Sequence, residues 1–275
     1  MTTSNIWRIW DSDADYGELL YKRAIGELPE MESAKAVAAQ VKHWIKPNDR
    51  ILDVGCGAGH YLRSLRREIQ VPFSYTGVDA TARYIAFAQK AWADNSNAEF
   101  QVADVFSLPF HAGEYDIVLS CNLFLHLPSI DVPLSEVMRV AGRNVLIRTL
   151  VGERSFRIQE VYSPETHPRS FSDALGEDEF DEKGEPRSFH YYNIYSESYI
   201  AKLIARVPGI SHWELVRDDQ YNPQNLTAET ERAGAAPDTT QMIGDWQVNG
   251  YILQPWCIIS IDKEVLEESE QSDQT

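Results

Sequence analysis

The stretch RILDVGCGAGHYLRSL, residues 50–65, joins an apolar run to three glycines at every second position. The run RILDV predicts a buried strand, and the segment after the glycines has the spacing of a helix. Gly55, Gly57 and Gly59 remove side chains from one side of the turn between these elements, so a ligand can lie against the backbone. The stretch therefore predicts a strand–loop–helix unit that binds a small molecule.

Length and charge restrict the class of protein. The chain has 275 residues, 43% of them hydrophobic, which is enough to bury the core of one large domain. The formal net charge of -17 disfavours a nucleic-acid partner, because such affinity rests on clustered Lys and Arg. No apolar run reaches the roughly 20 residues of a membrane helix, and the first residues lack the apolar core of a signal peptide. We expect a soluble, cytoplasmic monomer or homodimer with no nucleic-acid or membrane partner.

The cysteines are few and scattered. Cys56, Cys121 and Cys257 form no C-x-x-C pair and no framework of the kind found in small secreted domains. The sequence predicts reduced thiols and no metal site.

Strand and helix patterns alternate up to residue 150. The apolar spacing predicts helices over 30–46, 59–69, 82–94 and 131–141, and strands over 50–54, 73–79, 98–105, 115–122 and 144–150. Alternation with short connections is typical of a mostly parallel sheet that is covered by helices on both faces.

The alternation stops after Leu150. Residues 152–188 are polar, include the acidic run GEDEFDEKGE and predict an insertion or loop. A helix over 196–207, a strand over 212–218, a loop over 222–245 and a last strand over 248–262 are predicted beyond it. The acidic residues 263–275 predict a disordered tail.

The glycine spacing indicates which small molecule is bound. A dinucleotide site has the spacing G-x-G-x-x-G, whereas His60 fills the sixth position here. With Asp53 two residues before the first glycine, the loop resembles the D/E-x-G-x-G-x-G signature of class I S-adenosylmethionine-dependent methyltransferases. Asp79 in TGVDAT, Asp104 in VADVF and the segment His126-Leu127-Pro128 extend the resemblance over residues 30–150.

The resemblance implies a fold and a division of the chain. The fold is a Rossmann-like, mostly parallel sheet of seven strands with helices on both faces, an antiparallel last strand and an insertion after strand five that caps the substrate. It implies a lid segment over 1–29, a methyltransferase domain over 30–262 with the cap over 152–195, and the tail over 263–275.

The resemblance also implies a cofactor site for S-adenosylmethionine. Asp79 would hold the ribose hydroxyls and Asp104 would face the adenine amino group, and Cys56 would serve as a small residue of the loop rather than as a nucleophile. The implied set is Asp53, Gly55, Cys56, Gly57, Gly59, Asp79, Ala80, Asp104, Val105, Cys121 and Asn122, with Tyr21 and Arg23 from the lid.

The methyl acceptor would lie beside the end of strand four. There His126 is either a general base or a histidine that packs the loop. The candidates for substrate binding are Tyr16, Arg148, Tyr191, Tyr192, Asn193 and Tyr195. The tyrosine-rich segment either grips the acceptor by stacking or covers the edge of the sheet.

The resulting functional prediction is a methyltransferase that acts on an oxygen, nitrogen or carbon atom of a small-molecule metabolite. A protein or peptide acceptor and a non-catalytic scaffold that only binds the cofactor remain alternatives. The complete glycine loop and both acids favour the enzyme, because a scaffold has no physical need for them.

Overall fold

The structure is a computed structural model that describes residues 8, 10, 14–161, 179–218, 241–243, 246–249, 252–254 and 256–264. Its α-helices are α1 (Ala14–Ile25), α2 (Glu32–Lys42), α3 (His60–Glu68), α4 (Ala82–Ala91), α5 (Asp131–Val140) and α6 (Glu197–Ile204). The first strands are β1 (Asp49–Val54), β2 (Phe73–Asp79), β3 (Ala98–Val102), β4 (Tyr115–Cys121), β5 (Ala141–Gly152), β6 (Gln159–Val161) and β7 (Phe189–Tyr191). The remaining strands are β8 (Tyr195–Ser196), β9 (Ile210–Arg217), β10 (Gln241–Ile243), β11 (Trp246–Asn249), β12 (Ile252–Gln254) and β13 (Trp256–Lys263).

The central sheet has the strand order β3-β2-β1-β4-β5-β13-β9, and β8 pairs with the end of β5. β1 to β5 are parallel, and β13 runs antiparallel to both of its neighbours, β5 and β9. The order confirms the predicted mostly parallel, seven-stranded Rossmann-like sheet with an antiparallel last strand.

The helices divide between the two faces of the sheet. Val37, Leu62 and Ile85, from α2, α3 and α4, pack in one apolar cluster. Val137 and Leu203, from α5 and α6, pack in another cluster on the opposite face. Because both faces are covered, the central strands β1 and β4 consist largely of buried apolar residues. Each fully buried aliphatic side chain stabilises this layer by about 1.5–3 kcal/mol.

The prediction for residues 222–262 is wrong in two places. The predicted single strand over 248–262 is divided, because β11 and β12 form a separate antiparallel sheet with β10 and only β13 joins the central sheet. In the sequence, Pro255 falls between β12 and β13, and proline has no N–H group for a strand ladder. The predicted loop over 222–245 contains β10. The tail predicted from residue 263 onward lies, beyond Glu264, outside the described residues.

The segments before β1 and after β5 frame the sheet. α1, in the predicted lid, packs against α3 and α4. A Cβ atom at Gly17 would lie 2.7 Å from the Tyr84 ring, so this glycine allows close packing of α1 on α4. The predicted cap contains the antiparallel hairpin of β6 and β7, and its residues 162–178 lie outside the described part. Among the described helices, none has the length and apolar character to cross a membrane.

Candidate active site

A cavity of about 1020 Å³, its open mouth included, lies at the carboxyl ends of β1, β2 and β4. Parallel strands end together at this edge, which is where open α/β sheets bind ligands. The predicted site residues that line it are Tyr16, Gly55, Gly57, Asp79, Ala80, Asp104, Val105, Cys121, Asn122 and His126. The fold thus brings residues from four separate loops together in one cavity.

The glycine loop lines the cavity with its backbone. Gly55, Gly57 and Gly59 have φ angles of 81°, 55° and 73°, a region that other residues adopt at a cost. A Cβ atom at Gly57 would lie 2.7 Å from Leu20, and one at Gly59 would lie 2.8 Å from Phe100. Conformation and space therefore both require glycine in this loop.

Asp79, at the end of β2, is fixed by two backbone donors. The Gly57 N–H donates to its Oδ2 at 3.0 Å, and the Thr81 N–H donates to its Oδ1 at 2.9 Å. These bonds tie the glycine loop to β2 and orient the carboxylate. Since each carboxylate oxygen can accept more than one hydrogen bond, the group can still accept from a ligand.

Asp53, Cys56 and Gly59 lie behind the surface of the loop and are not among the residues that line the cavity. Asp53 is 2% exposed, and the Tyr75 hydroxyl donates to its Oδ2 at 2.6 Å. Burial raises the pKa of Asp53 to about 7, the Tyr75 hydrogen bond opposes this shift, and the charge of Asp79 adds to it. Asp53 therefore supports the glycine loop from the protein interior and does not contact the cavity.

Asp104 and Val105, which follow β3, form part of the cavity wall. Asp104 Oδ1 accepts the Phe106 N–H at 3.0 Å, which holds the acid at the edge of the cavity. Val105 is buried, and Ala103 and Phe106 continue the apolar wall beside it. This part of the wall thus presents the Asp104 carboxylate beside the apolar side chains of Ala103, Val105 and Phe106.

The predicted lid residues separate on α1. Tyr16 lines the cavity, whereas the Tyr21 ring packs on Phe87 at 5.5 Å between ring centroids. Arg23 is 9% exposed and donates to the Pro29 carbonyl at 3.4 Å. Neither Tyr21 nor Arg23 is among the lining residues, so their cofactor roles stay predictions.

His60 lines the cavity and was not among the predicted site residues. Its Nδ1 is buried and has no hydrogen-bond partner among the described residues. Burial and the nearby charge of Arg23 lower its pKa to about 3, so the ring is neutral at physiological pH. Its place in the first turn of α3, directly after Gly59, is the sequence signal that could have identified it.

The N-terminal residues Arg8 and Trp10 also line the cavity and were also missed. Arg8 donates to the Ala80 carbonyl at 3.3 Å. The Trp10 ring lies 5.2 Å from Tyr16 and 5.0 Å from His126, measured between ring centroids. No motif or periodic pattern marks either residue in the sequence.

His126 ends the short 3₁₀ turn Phe124–His126 that follows β4. Its Nδ1 lies 2.7 Å from the Tyr191 carbonyl oxygen. Burial and the neighbouring His190 lower its pKa to about 3, so the ring is neutral and Nδ1 must carry the proton that this hydrogen bond needs. The β6–β7 hairpin thus determines which tautomer of His126 is present.

Four rings meet at this end of the cavity. We call them the aromatic cluster, and they are Trp10, His126, His190 and Tyr192. In the pairs that contact each other, the ring centroids lie 4.9–5.7 Å apart. The His190 Nε2 also lies 3.2 Å from Glu160, its cross-strand neighbour in the hairpin. The cluster joins the N-terminal segment, the 3₁₀ turn and the predicted cap.

The other predicted substrate residues lie around the cavity rather than in its lining. Asn193 Nδ2 donates to the Leu127 carbonyl at 2.8 Å, and the Tyr195 hydroxyl donates to the Phe124 carbonyl at 3.0 Å. Tyr191 contributes its carbonyl to His126. Arg148 is 2% exposed, and its Nε lies 2.5 Å from Asp218 Oδ2. These residues hold the 3₁₀ turn and the end of β5 in place.

Comparison with known proteins agrees with this geometry. A family described as a methyltransferase domain matches residues 51–144. A fatty-acid O-methyltransferase of Mycolicibacterium smegmatis is 36% identical over 91 residues, 33% of this chain and 32% of that protein. A 2-methyl-6-phytyl-1,4-hydroquinone methyltransferase of Synechocystis sp. is 31% identical over 96 residues, 35% of this chain and 30% of that protein. This chain thus spans about a third of the length of these relatives, and as little as 4% of another.

A solved structure extends the likeness in fold over nearly the whole chain. Phosphoethanolamine N-methyltransferase 2 of Haemonchus contortus, in complex with phosphomonomethylethanolamine and S-adenosylhomocysteine, aligns with a TM-score of 0.60 and 18% identity over 94% of this chain and 60% of that one. The sheet order, the glycine loop and the family match together identify residues 51–144 as part of a methyltransferase domain with a Rossmann-like fold.

Proposed function

We propose that the protein is an S-adenosylmethionine-dependent methyltransferase that acts on a small molecule. The observation that carries this proposal is the carboxylate of Asp79, oriented toward the cavity by two backbone N–H groups, one of them from the glycine loop itself. Such an acid suits a ligand with paired hydroxyls, as in a ribose. A dinucleotide site also places an acid on a ribose, so the spacing G-x-G-x-G, with His60 in the sixth position, is what favours S-adenosylmethionine over NAD.

The residues present fit this cofactor. The backbone of Gly55 and Gly57 leaves room for a ligand that a Cβ atom would restrict. Asp79 would hold the ribose, Asp104 and Val105 would hold the adenine, and His60 Nδ1 would offer a hydrogen bond to the amino-acid end. When bound, S-adenosylmethionine supplies an electrophilic methyl group on a positively charged sulfur.

The chain's own task is then to align an acceptor and exclude water. Trp10 and His126 of the aromatic cluster line one end of the cavity, and His190 and Tyr192 pack against His126. His126 stands in the lining with its Nδ1 committed to Tyr191, so Nε2 is the nitrogen that can receive a proton from an acceptor.

A small acceptor suits the enclosed, ring-lined cavity better than a protein chain does. The two named relatives carry hydroquinone and fatty-acid acceptors in their names, which supports a metabolite. A scaffold without turnover is the weaker alternative, since Asp79, Asp104 and two glycines of the loop line the same cavity. The net charge of -17 speaks against a nucleic-acid acceptor.

Calorimetry with S-adenosylmethionine, S-adenosylhomocysteine and NAD tests the cofactor. We expect the first two to bind and NAD to give no heat. Binding of NAD, or failure of both sulfur compounds to bind, would overturn the proposal.

Transfer of a labelled methyl group to fractions of a cell extract tests the acceptor class. Label in the small-molecule fraction supports the proposal. Label in the protein fraction would favour the peptide alternative, and binding without transfer to either fraction would favour the scaffold.

A further inference from the structure

Asn122 follows β4 and lines the cavity in a backbone conformation that few residues adopt. Its φ is 60°, and among the described residues only Asn48 shares a positive φ without being glycine. Its N–H donates to the Arg148 carbonyl at 2.9 Å, which holds the turn in this conformation. Asparagine tolerates the left-handed region better than most residues, so the position does not by itself demand a functional side chain.

Arg148 determines which way the Asn122 carboxamide faces. Its NH1 lies 2.5 Å from Asn122 Oδ1. A guanidinium group only donates hydrogen bonds, so the carbonyl oxygen of the amide must face Arg148 and the NH₂ group must face away from it. The Tyr61 hydroxyl, at 3.5 Å, is the single partner of that NH₂ group within the described part of the chain. Toward a ligand, Asn122 can therefore only donate.

Arg148 is itself held on two sides. Its Nε pairs with Asp218 Oδ2 at 2.5 Å, and both side chains are 3% exposed. Its guanidinium lies 4.0 Å from the centre of the Trp256 ring. Because the Arg148 side chain is buried and paired with Asp218, it cannot rotate into solvent. Arg148 and Asp218 therefore act as positioning residues for the Asn122 amide.

His126, in contrast to Asn122, presents a hydrogen-bond acceptor to the cavity. Its Nδ1–H donates to the Tyr191 carbonyl, and its low pKa keeps the ring neutral. Nε2 then carries a lone pair and has no hydrogen-bond partner among the described residues. Toward a ligand, His126 can only accept.

We propose that the methyl acceptor of this site is a hydroxyl group on an apolar molecule, held between the Asn122 amide donor and the His126 Nε2 acceptor. This inference rests on the proposed function and narrows it to O-methylation. Asn122 and His126 lie four residues apart in the segment after β4 and line the same cavity, as do the apolar side chains of Leu123, Leu127 and Trp10.

The number of lone pairs separates oxygen from nitrogen. A hydroxyl oxygen has two, so one can accept from Asn122 while the other attacks the methyl carbon. A neutral amine nitrogen has only one, and a hydrogen bond from Asn122 would occupy the pair that has to attack. A carbon nucleophile offers Asn122 no acceptor at the reacting atom. The donor polarity of Asn122 thus selects oxygen.

The transfer balances with the residues named. The new bond joins the acceptor oxygen to the methyl carbon, and the carbon–sulfur bond breaks with its electron pair remaining on sulfur. As the bond to carbon forms, the acceptor oxygen becomes strongly acidic, so its proton passes even to the weakly basic His126 Nε2, and solvent takes the proton up when the product leaves. No oxidant, reductant or metal is needed.

Matched probes that differ only in the reacting atom test the inference. Binding of 5-indanol and 5-aminoindane to protein saturated with S-adenosylhomocysteine would be measured by calorimetry. We expect 5-indanol to bind at least about tenfold more tightly. Its oxygen can accept a hydrogen bond from Asn122, whereas the nitrogen of 5-aminoindane is a poor acceptor. Equal binding, tighter binding of the amine, or binding of neither probe would overturn the inference. Prior titration with S-adenosylhomocysteine alone keeps this outcome separate from failure of the proposed function.

Substitution of Asn122 separates its side chain from its backbone. Asn122→Gly accepts the left-handed conformation and removes the amide, so we expect a melting temperature near that of the wild type and a hydroxyl preference reduced to under about threefold. Asn122→Asp keeps the shape without the donor and should lose the preference as well. Asn48→Gly makes the same backbone change at an exposed position and is the matched control. A wild-type preference in Asn122→Gly would show that Asn122 serves only the turn.

Discussion

The two ends of the cavity are built in different ways. The glycine-loop end consists of backbone from one continuous segment, β1 to α3, fastened to Asp79 by a backbone hydrogen bond. The end with the aromatic cluster consists of side chains from segments far apart in sequence, which meet through ring contacts and a few bonds to carbonyl groups. The first end depends on conformation and the second on packing, and their sensitivities to substitution should differ accordingly.

Tyr195→Ala should have the largest effect on the packed end. Tyr195 is 8% exposed, and its hydroxyl donates to the Phe124 carbonyl and accepts from Asn193. Truncation of a buried aromatic costs about 3–5 kcal/mol, so we expect a large fall in melting temperature together with weaker binding of cofactor and acceptor alike. Thermal melting beside calorimetric titration measures both quantities.

Tyr195→Phe is the matched control, because it keeps the ring and removes only the hydroxyl. It should cost about 1–2 kcal/mol. An unchanged melting temperature in Tyr195→Ala, with selective loss of acceptor binding, would instead make Tyr195 a substrate residue.

The same difference explains how much the sequence could predict. The parallel sheet was predicted because each strand and helix has its own local apolar period, and the glycine loop because its backbone needs glycine at fixed spacing. Trp10 was missed because its partners His126 and His190 lie far along the chain and leave no local pattern. Arg148 was predicted as a substrate-binding residue, but its pairing with Asp218 depends on β9 and β5 both flanking β13.

Asp53→Asn should change how stability depends on pH. In the unfolded chain the carboxyl loses its proton near pH 3.8, whereas in the folded protein it keeps the proton up to about pH 7. Between these values the folded state binds the extra proton, so this group makes the free energy of unfolding fall as pH rises and level off above about pH 7. Asparagine does not titrate and can still accept from Tyr75.

Melting temperatures of the ligand-free protein at pH 5 and pH 8 measure this effect. From pH 5 to pH 8, the free energy of unfolding of Asp53→Asn should rise by about 3 kcal/mol relative to that of the wild type. The difference between the two proteins removes the contributions of His60 and His126, which titrate in both. Parallel pH profiles would mean that Asp53 is already ionised in the folded protein.

Asp79→Ala tests the backbone-built end. Hydrogen bonds to a charged acceptor contribute about 1.5–3 kcal/mol, so affinity for S-adenosylhomocysteine should fall by roughly one to two orders of magnitude. The Gly57 and Thr81 N–H groups also lose their acceptor, which loosens the loop without unfolding the sheet. Calorimetry checks this result, and Asp94→Ala, at an exposed acid after α4, is the control. An unchanged dissociation constant would remove Asp79 from the cofactor site.

Tyr192→Ala should have the smallest effect on stability and the most selective effect on binding. The Tyr192 ring is half-buried and contacts His126 and His190, while its backbone N–H donates to the Ile158 carbonyl and stays in place after substitution. Loss of an aromatic pair costs about 0.5–1.5 kcal/mol, so the melting temperature should change little. Affinity for S-adenosylhomocysteine should stay within about twofold, whereas affinity for 5-indanol should fall about threefold to tenfold, because His126 in the cavity lining has lost the ring that packs against it. Tyr192→Phe keeps the ring and should bind both ligands like the wild type. A parallel loss of both ligands in Tyr192→Ala would show that the aromatic cluster supports the glycine-loop end as well, and the two ends would then have to be treated as one cooperative unit.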